Sequence, residues 1–284
     1  MSRIVVTGAN GKTGRVVVEE LLAHGHSVVA TDAVGPAGHL SIPHLGTPLL
    51  VADLTDYGQA FEVLQEADAV VHLANIPAPG MYTPAVTFNR NSAMNANVFL
   101  AAQAAGLGRV VWSSSETTLG LPFDTPPRYA PVDEEHFPFP TTTYALSKVV
   151  GETLAREVSG WSGIPFVGLR LSNVHVPEDY AAVPGYWADA HARKWNLWGY
   201  VDARDVAAAC RLALTAPIRN SSSYIIAAAD TIMNRPSADL MREVFPAVPL
   251  KRPLQEFETL LAIDTAREVL GYEPSHSWRD HVES

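Results

Sequence analysis

A single cysteine, Cys210, stands in the 284-residue chain, so no intramolecular disulfide can form and a Cys-x-x-Cys metal or redox centre is excluded. Its setting among alanines and leucines in AAACRLAL is that of a buried structural thiol rather than a reactive one. Lysine is scarce, at Lys12, Lys148, Lys194 and Lys251, and Asp plus Glu outnumber Lys plus Arg by 30 to 20. The formal charge of −10 supplies no general attraction to nucleic acid or to an anionic membrane surface, and neither is expected as a partner. No apolar run approaches the roughly 20 residues that span a bilayer. The chain enters a β-branched run, RIVVT, almost at once, with no charged leader or long h-region, so a cytoplasmic protein is expected. Internal repeats, low-complexity tracts and charge runs are missing as well, and no metal site is expected.

What is present suits a compact enzyme-sized fold. With 47% apolar and 18% charged residues, the chain can build one large α/β domain, alone or with a small appendage. Short β-branched runs alternate with helical patterns: RIVVT, a helix near 15–24, SVVATD, PLLVAD, a helix over 57–66, and DAVVHLA. A long helix over 84–105 then precedes RVVWSSS, and another over 143–159 precedes FVGLRLSN. This βαβ rhythm predicts a doubly wound parallel sheet, Rossmann-like, over residues 1–173. From Val174 the rhythm loosens into a Pro- and Trp-containing segment, a helix in DARDVAAACRLAL, a strand in SYIIAAA and short helices near Ala238 and Thr265. Residues 174–284 therefore read as a small C-terminal substrate-covering part, interleaved with the last sheet elements. The proline-rich stretch 122–140 reads as a long loop rather than a linker.

TGANGKTG closes the first strand and opens the first helix, the arrangement in which backbone amides and a positive helix end meet a pyrophosphate. Gly8 suits the tight turn, Gly11 a close backbone approach and Gly14 close helix-to-strand packing, with Asn10, Lys12 and Thr13 completing the turn. Three such glycines arise by chance about one time in ten, so the placement after a strand carries the argument. Asp32 ends the second strand, where a carboxylate accepts both hydroxyls of an adenosine ribose and repels a 2′-phosphate. NAD is thereby favoured over NADP, although Lys12 and Arg15 leave room for NADP. Asp53, with Leu54 beside it, ends the third strand and serves equally as an adenine contact or as an ordinary turn aspartate.

Tyr144 and Lys148 stand four apart in TTTYALSK and share one helix face. A lysine ammonium and an oxidised nicotinamide nearby both favour the phenolate, which then exchanges a proton with a substrate hydroxyl while hydride moves to or from nicotinamide. Ser113 to Ser115 close the preceding strand, within reach of that oxygen or simply as turn formers.

TGANGKTG, SSSETTLG, YALSK and LRLSNVHVP, in this order, resemble the extended short-chain dehydrogenase/reductase family of NAD-dependent epimerases, dehydratases and dehydrogenases. YVDARDVA and AREVLGYEP extend the resemblance over nearly the whole chain. It implies Ser115, Tyr144 and Lys148 as a catalytic triad, with Tyr144 the acid/base, Ser115 polarising the substrate oxygen and Lys148 also holding the nicotinamide ribose. Asn91 matches the family's helix asparagine, and HLANIP the segment beside the cofactor, implicating Leu73, Ala74 and Asn75. A homodimer through the helices of Asn91 and Tyr144 is implied too.

Members acting on nucleotide sugars usually carry a long excursion where this chain has only residues 174–199, which argues for a small sugar-like substrate. In size and in its PEDY sequence the chain is similar to uronate dehydrogenases. Two features depart from them: Glu116 follows Ser115 where they carry a neutral amide, and Ala181 and Ala182 follow Tyr180 where they place an arginine. A carboxylate at Glu116 repels a substrate carboxylate, so a neutral sugar or other hydroxyl/carbonyl compound stands level with a uronic acid; an acid in this position also serves as general acid in the family's dehydratases, though Thr117 rather than a second acid follows. Glu116, Thr117, Asn173 and His175 complete the expected substrate contacts, His175 with a space-filling alternative. Trp195 and Trp198 read as pocket lid or as packing; Arg170 and Arg193 stay open as anion contacts, with a family-typical strand placement the other reading of Arg170 and an exposed salt bridge the simpler reading of Arg193. The alternatives kept open are a nucleotide-sugar epimerase or dehydratase and, from another class, an NAD(P)-sensing regulatory protein.

Overall fold

The computed structural model describes residues 1–34, 41–42 and 47–282. Its strands are β1 (Arg3–Thr7), β2 (Ser27–Asp32), β3 (Ser41–Ile42), β4 (Thr47–Val51), β5 (Ala69–His72), β6 (Arg109–Ser115), β7 (Phe166–Leu171), β8 (Val174–His175), β9 (Val201–Asp202) and β10 (Ser221–Ile226). Its helices are α1 (Lys12–Ala23), α2 (Tyr57–Leu64), α3 (Pro84–Ala105), α4 (Thr143–Ser162), α5 (Ala203–Thr215), α6 (Ser237–Val244) and α7 (Asp264–Leu270). The main sheet runs β10-β7-β6-β5-β1-β2-β4-β3, parallel throughout except that the two-residue β3 pairs antiparallel with β4. A small parallel pair, β8 with β9, lies outside it. The doubly wound parallel sheet expected from the sequence is therefore present. None of the described helices is long and apolar enough to cross a membrane.

Burial on both faces explains why the strands read as continuous apolar runs. Ile4 and Val6 of β1 join one apolar cluster with Val17, Val18 and Leu21 of α1 and Cys210 of α5. Val5 belongs to the opposite cluster, with Leu64 of α2, Phe99 of α3 and Ala155 of α4. Cys210 is fully buried, and burial pushes its thiol up to about 12, as suits a structural thiol. The first cluster continues without interruption into Trp198, Leu261 and Trp278, so side chains from both parts of the chain share one core.

Local chemistry sets the helix ends. The Asp56 carboxylate accepts from the Gln59 amide at the start of α2, Thr142 from Ala145 at α4 and Asp202 from Arg204 at α5. Gly106 and Gly163, both left-handed, end α3 and α4. The helix expected over 15–24 begins earlier, at Lys12, because Gly11 already serves as its N-cap. The stretch 122–140 is pinned rather than loose: Ala130 and Val132 bridge to Leu250 and Leu261.

The close approach of α4 to β6 positions the chemistry. A Cβ at Gly151 would lie 3.1 Å from the Trp112 ring and 2.8 Å from the Asn95 amide nitrogen. Trp112 has nowhere to go, since Phe99 packs edge-on against both it and Phe166 with centroids 5.4 and 5.0 Å apart. Gly151→Ala should therefore destabilise the protein by about 1–3 kcal/mol, read as a lower urea midpoint. A midpoint equal to wild type would show that α4 has slack against the sheet.

Candidate active site

The sheet reverses direction of winding between β1 and β5, and the crevice above their carboxyl ends is where open α/β sheets bind ligands. Thr7 and His72 stitch the two strand ends together. The Thr7 hydroxyl accepts from the amides of Leu73 and Ala74 at 3.2 Å each and lies 2.7 Å from His72 Nδ1. Its own proton then goes to Nδ1, leaving Nε2–H to meet Asn95 Oδ1 at 3.1 Å. Burial, with Lys148 adding to it, holds His72 down to about 3, so it is a neutral structural group.

A cavity of about 870 Å³ opens above this switch point. Its floor is the glycine turn: Gly8 has φ +66°, and a Cβ there would lie 2.8 Å from the Ala74 nitrogen. A Cβ on Gly14 would lie 2.1 Å from the Gly8 carbonyl oxygen. Gly8 thus combines the turn with the tight approach to β5, while Gly11 caps α1 without any side-chain bond to the first-turn amides. Gly8, Gly11, Lys12, Thr13, Gly14, Asp32, Asp53, Leu54, Leu73, Ala74 and Asn75 all line the cavity. Asn10 does not; its amide donates to Asp32 at 3.0 Å and its side chain is engaged by Arg15. Asp53 is occupied within its own turn, accepting from the Thr55 amide and hydroxyl, which hold its carboxyl below the usual range.

At the other end Ser115, Glu116, Thr117, Tyr144, Lys148 and Asn173 line the same cavity. The Ser115 hydroxyl accepts from the Thr117 hydroxyl at 2.9 Å and amide at 3.2 Å, and its own proton is directed to the Tyr144 side of the cavity, where it favours the phenolate. Ser113 and Ser114 line the cavity too: the Ser114 hydroxyl donates to Glu152 at 2.6 Å, and Ser113 accepts from Asn75. Lys148 Nζ donates to the Ser113 carbonyl at 2.7 Å. Burial pushes this lysine down to about 7, the Glu152 carboxylate opposing, and pushes Tyr144 up to about 12, with Glu116 adding and the Ser115 hydroxyl opposing. Burial thus opposes both the ammonium form of Lys148 and the phenolate form of Tyr144, and a positive charge brought into the site would favour the phenolate.

Asn91 does not line the cavity. Its side chain clamps the Ile76 backbone, accepting from the amide at 2.8 Å and donating to the carbonyl at 3.1 Å, so it shapes the cavity wall through Ile76. His175 also stays outside, packed between Tyr180 and Tyr200. Trp195 lines the cavity, whereas Trp198 is buried in the core with its indole donating to Ala190. Arg193 is not an exposed ion-pair partner: it is 7% exposed, donates to Asn173 Oδ1 and Gly199, and lies between the Tyr186 and Trp195 rings. Arg170 makes a buried bidentate pair with Glu152. Sequence reasoning missed Glu152, Ser172 and Asn196, the last two of which donate to Glu116. A local sequence signal existed only for Glu152, one turn beyond Lys148.

The residues present fit a dinucleotide. The glycine cradle leaves no room for a side chain, α1 presents uncapped amides, and Asn75 Oδ1 is a buried acceptor with no protein partner. Glu116 makes a separate, pH-dependent mark on stability, since burial pushes its carboxyl up to about 7 from 4.5. A raised folded value favours the fold below the unfolded value and loses that contribution as pH rises through about 7. Relative to Glu116→Gln, wild type should lose on the order of 3 kcal/mol of unfolding free energy between pH 4.5 and 8. Parallel urea titrations of the two proteins across that range check it; identical slopes would refute a buried ionisable carboxyl.

Residues 4–227 match the NAD dependent epimerase/dehydratase family. Among curated relatives, the UDP-glucose 4-epimerase of Lacticaseibacillus casei is 27% identical over 317 residues, covering 98% of this chain and 94% of its own. The L-arabinose 1-dehydrogenase (NAD(P)(+)) of Haloferax volcanii is 33% identical over 179 residues, 60% of this chain and 66% of its own. The uronate dehydrogenase of Pseudomonas putida is 25% identical over 61% of each chain. The structure of a UDP-glucose 4-epimerase from Thermotoga maritima with UDP-glucose superposes with a TM-score of 0.74 at 20% identity, over 98% of this chain and 96% of that one. The chain is thus an enzyme of the NAD-dependent epimerase/dehydratase family, whose members act on sugars.

Proposed function

We propose that the protein is an NAD-dependent dehydrogenase of a small sugar or sugar-derived substrate. The observation that carries this reading is the single cavity joining the glycine turn to Ser115, Tyr144 and Lys148. When bound, NAD supplies the hydride acceptor and a positive nicotinamide ring. The Ser115 hydroxyl donates to the substrate oxygen and orients it. Once ionised in the positive field of the loaded site, the Tyr144 phenolate takes the proton from that hydroxyl, and the adjacent C–H would leave as hydride to the cofactor, giving a carbonyl. Lys148, fixed to the Ser113 carbonyl one turn from Tyr144, is the residue that would hold the nicotinamide ribose.

Support for NAD over NADP comes from Asp32, whose carboxylate faces the cavity and is held by the amides of Asn10 and Ala33. The cations that left room for a 2′-phosphate are engaged elsewhere: Lys12 with Asp179, and Arg15 with the Asn10 carbonyl and side chain. Support for a small substrate comes from the short cover. The epimerase alignment needs 317 positions to span 98% of a 284-residue chain, so that relative carries insertions this chain lacks. Nucleotide-sugar epimerisation is the second reading, favoured by the near-full coverage of that same relative.

Free sugars should reduce NAD, with NADP a poorer acceptor, when absorbance of the reduced cofactor is followed; turnover of a nucleotide sugar without net NADH would favour the epimerase. Tyr144→Phe should cut kcat by roughly 10²–10⁴-fold while leaving NAD affinity within a few-fold; undiminished turnover would remove Tyr144 from the mechanism. A homodimer through α3 and α4, whose Leu100, Leu146 and Val150 remain exposed, belongs to the same proposal. Sedimentation should give twice the 30.6 kDa chain mass, and a single-chain mass would exclude it.

A further inference from the structure

Glu116 is 3% exposed, yet it lines the cavity immediately after Ser115. Its carboxylate is clamped between the end of β7 and the covering segment. Ser172 donates to Oε2 at 2.6 Å, and Asn196, itself fixed by a 2.8 Å bond to the Gly199 carbonyl, donates to Oε1 at 3.2 Å. Together with the Asn173 backbone amide, which also donates to it, these occupy three of the about four acceptor positions of a carboxylate. Remaining acceptor capacity faces the cavity, beside the oxygen that Ser115 and Tyr144 address.

The charges around it are lopsided. Among the described residues, the cations lining the cavity are Lys12, Arg90 and Lys148. Lys12 is paired to Asp179 at the nucleotide end. Arg90 lies on the Asp53 side, stacked over Tyr82. Lys148 is bound to the Ser113 carbonyl. On the covering segment stands Arg193, which does not line the cavity; its Nη2 donates to Asn173 and Gly199, its buried Nε has no protein partner, and its guanidinium lies against the Tyr186 and Trp195 rings. Tyr144 faces Glu116 from α4 and is neutral in the resting site. Among the described residues, Lys148 is thus the cavity-lining cation at this end, with one of its three N–H donors taken by the Ser113 carbonyl.

We propose that Glu116 determines substrate specificity: its clamped carboxylate accepts a hydroxyl of a neutral sugar and rejects sugars bearing a carboxylate at that position. Ser172, Asn196 and Arg193 act through it as positioning residues. The proposal rests on the reading of the cavity as a sugar dehydrogenase site and adds the substrate class. Rejection weakens as Glu116 takes up a proton, so the preference for neutral sugars should be stronger at pH 8.5 than at pH 6.

The test pairs sugars that differ in one group: D-glucose with D-glucuronate, and D-galactose with D-galacturonate. Each is titrated calorimetrically onto the NADH-loaded protein and separately assayed for NAD reduction, for wild type, Glu116→Gln and Glu116→Asp. Wild type should bind the neutral member at least ten-fold more tightly, the Gln variant should bring each pair within about three-fold, and the Asp variant, which keeps the charge, should retain most of the preference. A preference unchanged in Glu116→Gln, a wild-type preference for the uronates, or no binding of any of the four sugars would overturn the proposal. An affinity ratio that shifts as expected without turnover on any sugar would uphold Glu116 and sink the dehydrogenase reading. Turnover with an unmoved ratio would do the reverse. Should the Gln variant fold poorly, Ser172→Ala and Asn196→Ala loosen the same clamp and should narrow the ratio in wild-type Glu116 background; unchanged ratios in both would count against the proposal.

Discussion

An amine buried to 1% exposure is the constraint around which the active end is built. Taking an ammonium out of water is costly unless polar groups meet it, and Lys148 has one short bond to the Ser113 carbonyl with the Glu152 carboxylate one turn along the helix. Glu152 in turn is held by Arg170 of β7 and Ser114 of β6, so α4 is tied to two neighbouring strands by charge-assisted bonds. These bonds require the helix to lie close on the sheet, which Gly151 permits over Trp112. Tyr144, a turn before Lys148, is thereby set at the cavity wall beside Ser115. Proton chemistry at that oxygen depends on packing laid down several residues away.

The covering segment joins this arrangement through side chains rather than strands. Asn173 Oδ1 accepts from Arg193, which identifies it as the oxygen and makes His175 Nε2 the protonated nitrogen in its 2.9 Å contact. Arg193 and Asn196 both meet the Gly199 carbonyl, and Asn196 passes the order on to Glu116. At the far end Lys12 reaches from the glycine turn to Asp179 and the Val174 carbonyl. Half-exposed, that ion pair is screened and weak, in contrast to the buried contacts around Glu116.

Much of this was legible beforehand. Strands buried on both faces appear as unbroken β-branched runs such as RIVVT, and α3 carries Pro84 at its start and Gly106 just beyond its end, so its limits could be read directly. Tyr144 and Lys148 are four apart, a spacing that survives folding because a helix preserves it. Arg193 was misread because its partners, Asn173 and Gly199, are joined to it by turns rather than by a periodic element. The weakening of Lys148 was hidden too: its pattern promises an ammonium, while its charge state is set by burial under β6.

By itself, the sequence determined the βαβ order, the glycine turn at the end of β1, the helical pairing of tyrosine and lysine, and the acid directly after Ser115. Each is a short-range pattern whose geometry follows from one strand, one turn or one helix. Tertiary structure decided which of these groups share a cavity, that Asn91 works on the Ile76 backbone, and that Ser172 and Asn196 converge on Glu116 from 56 and 80 residues away. Such convergence and the desolvation it brings depend on chain crossings that no local spacing encodes, and they set the charge each group carries.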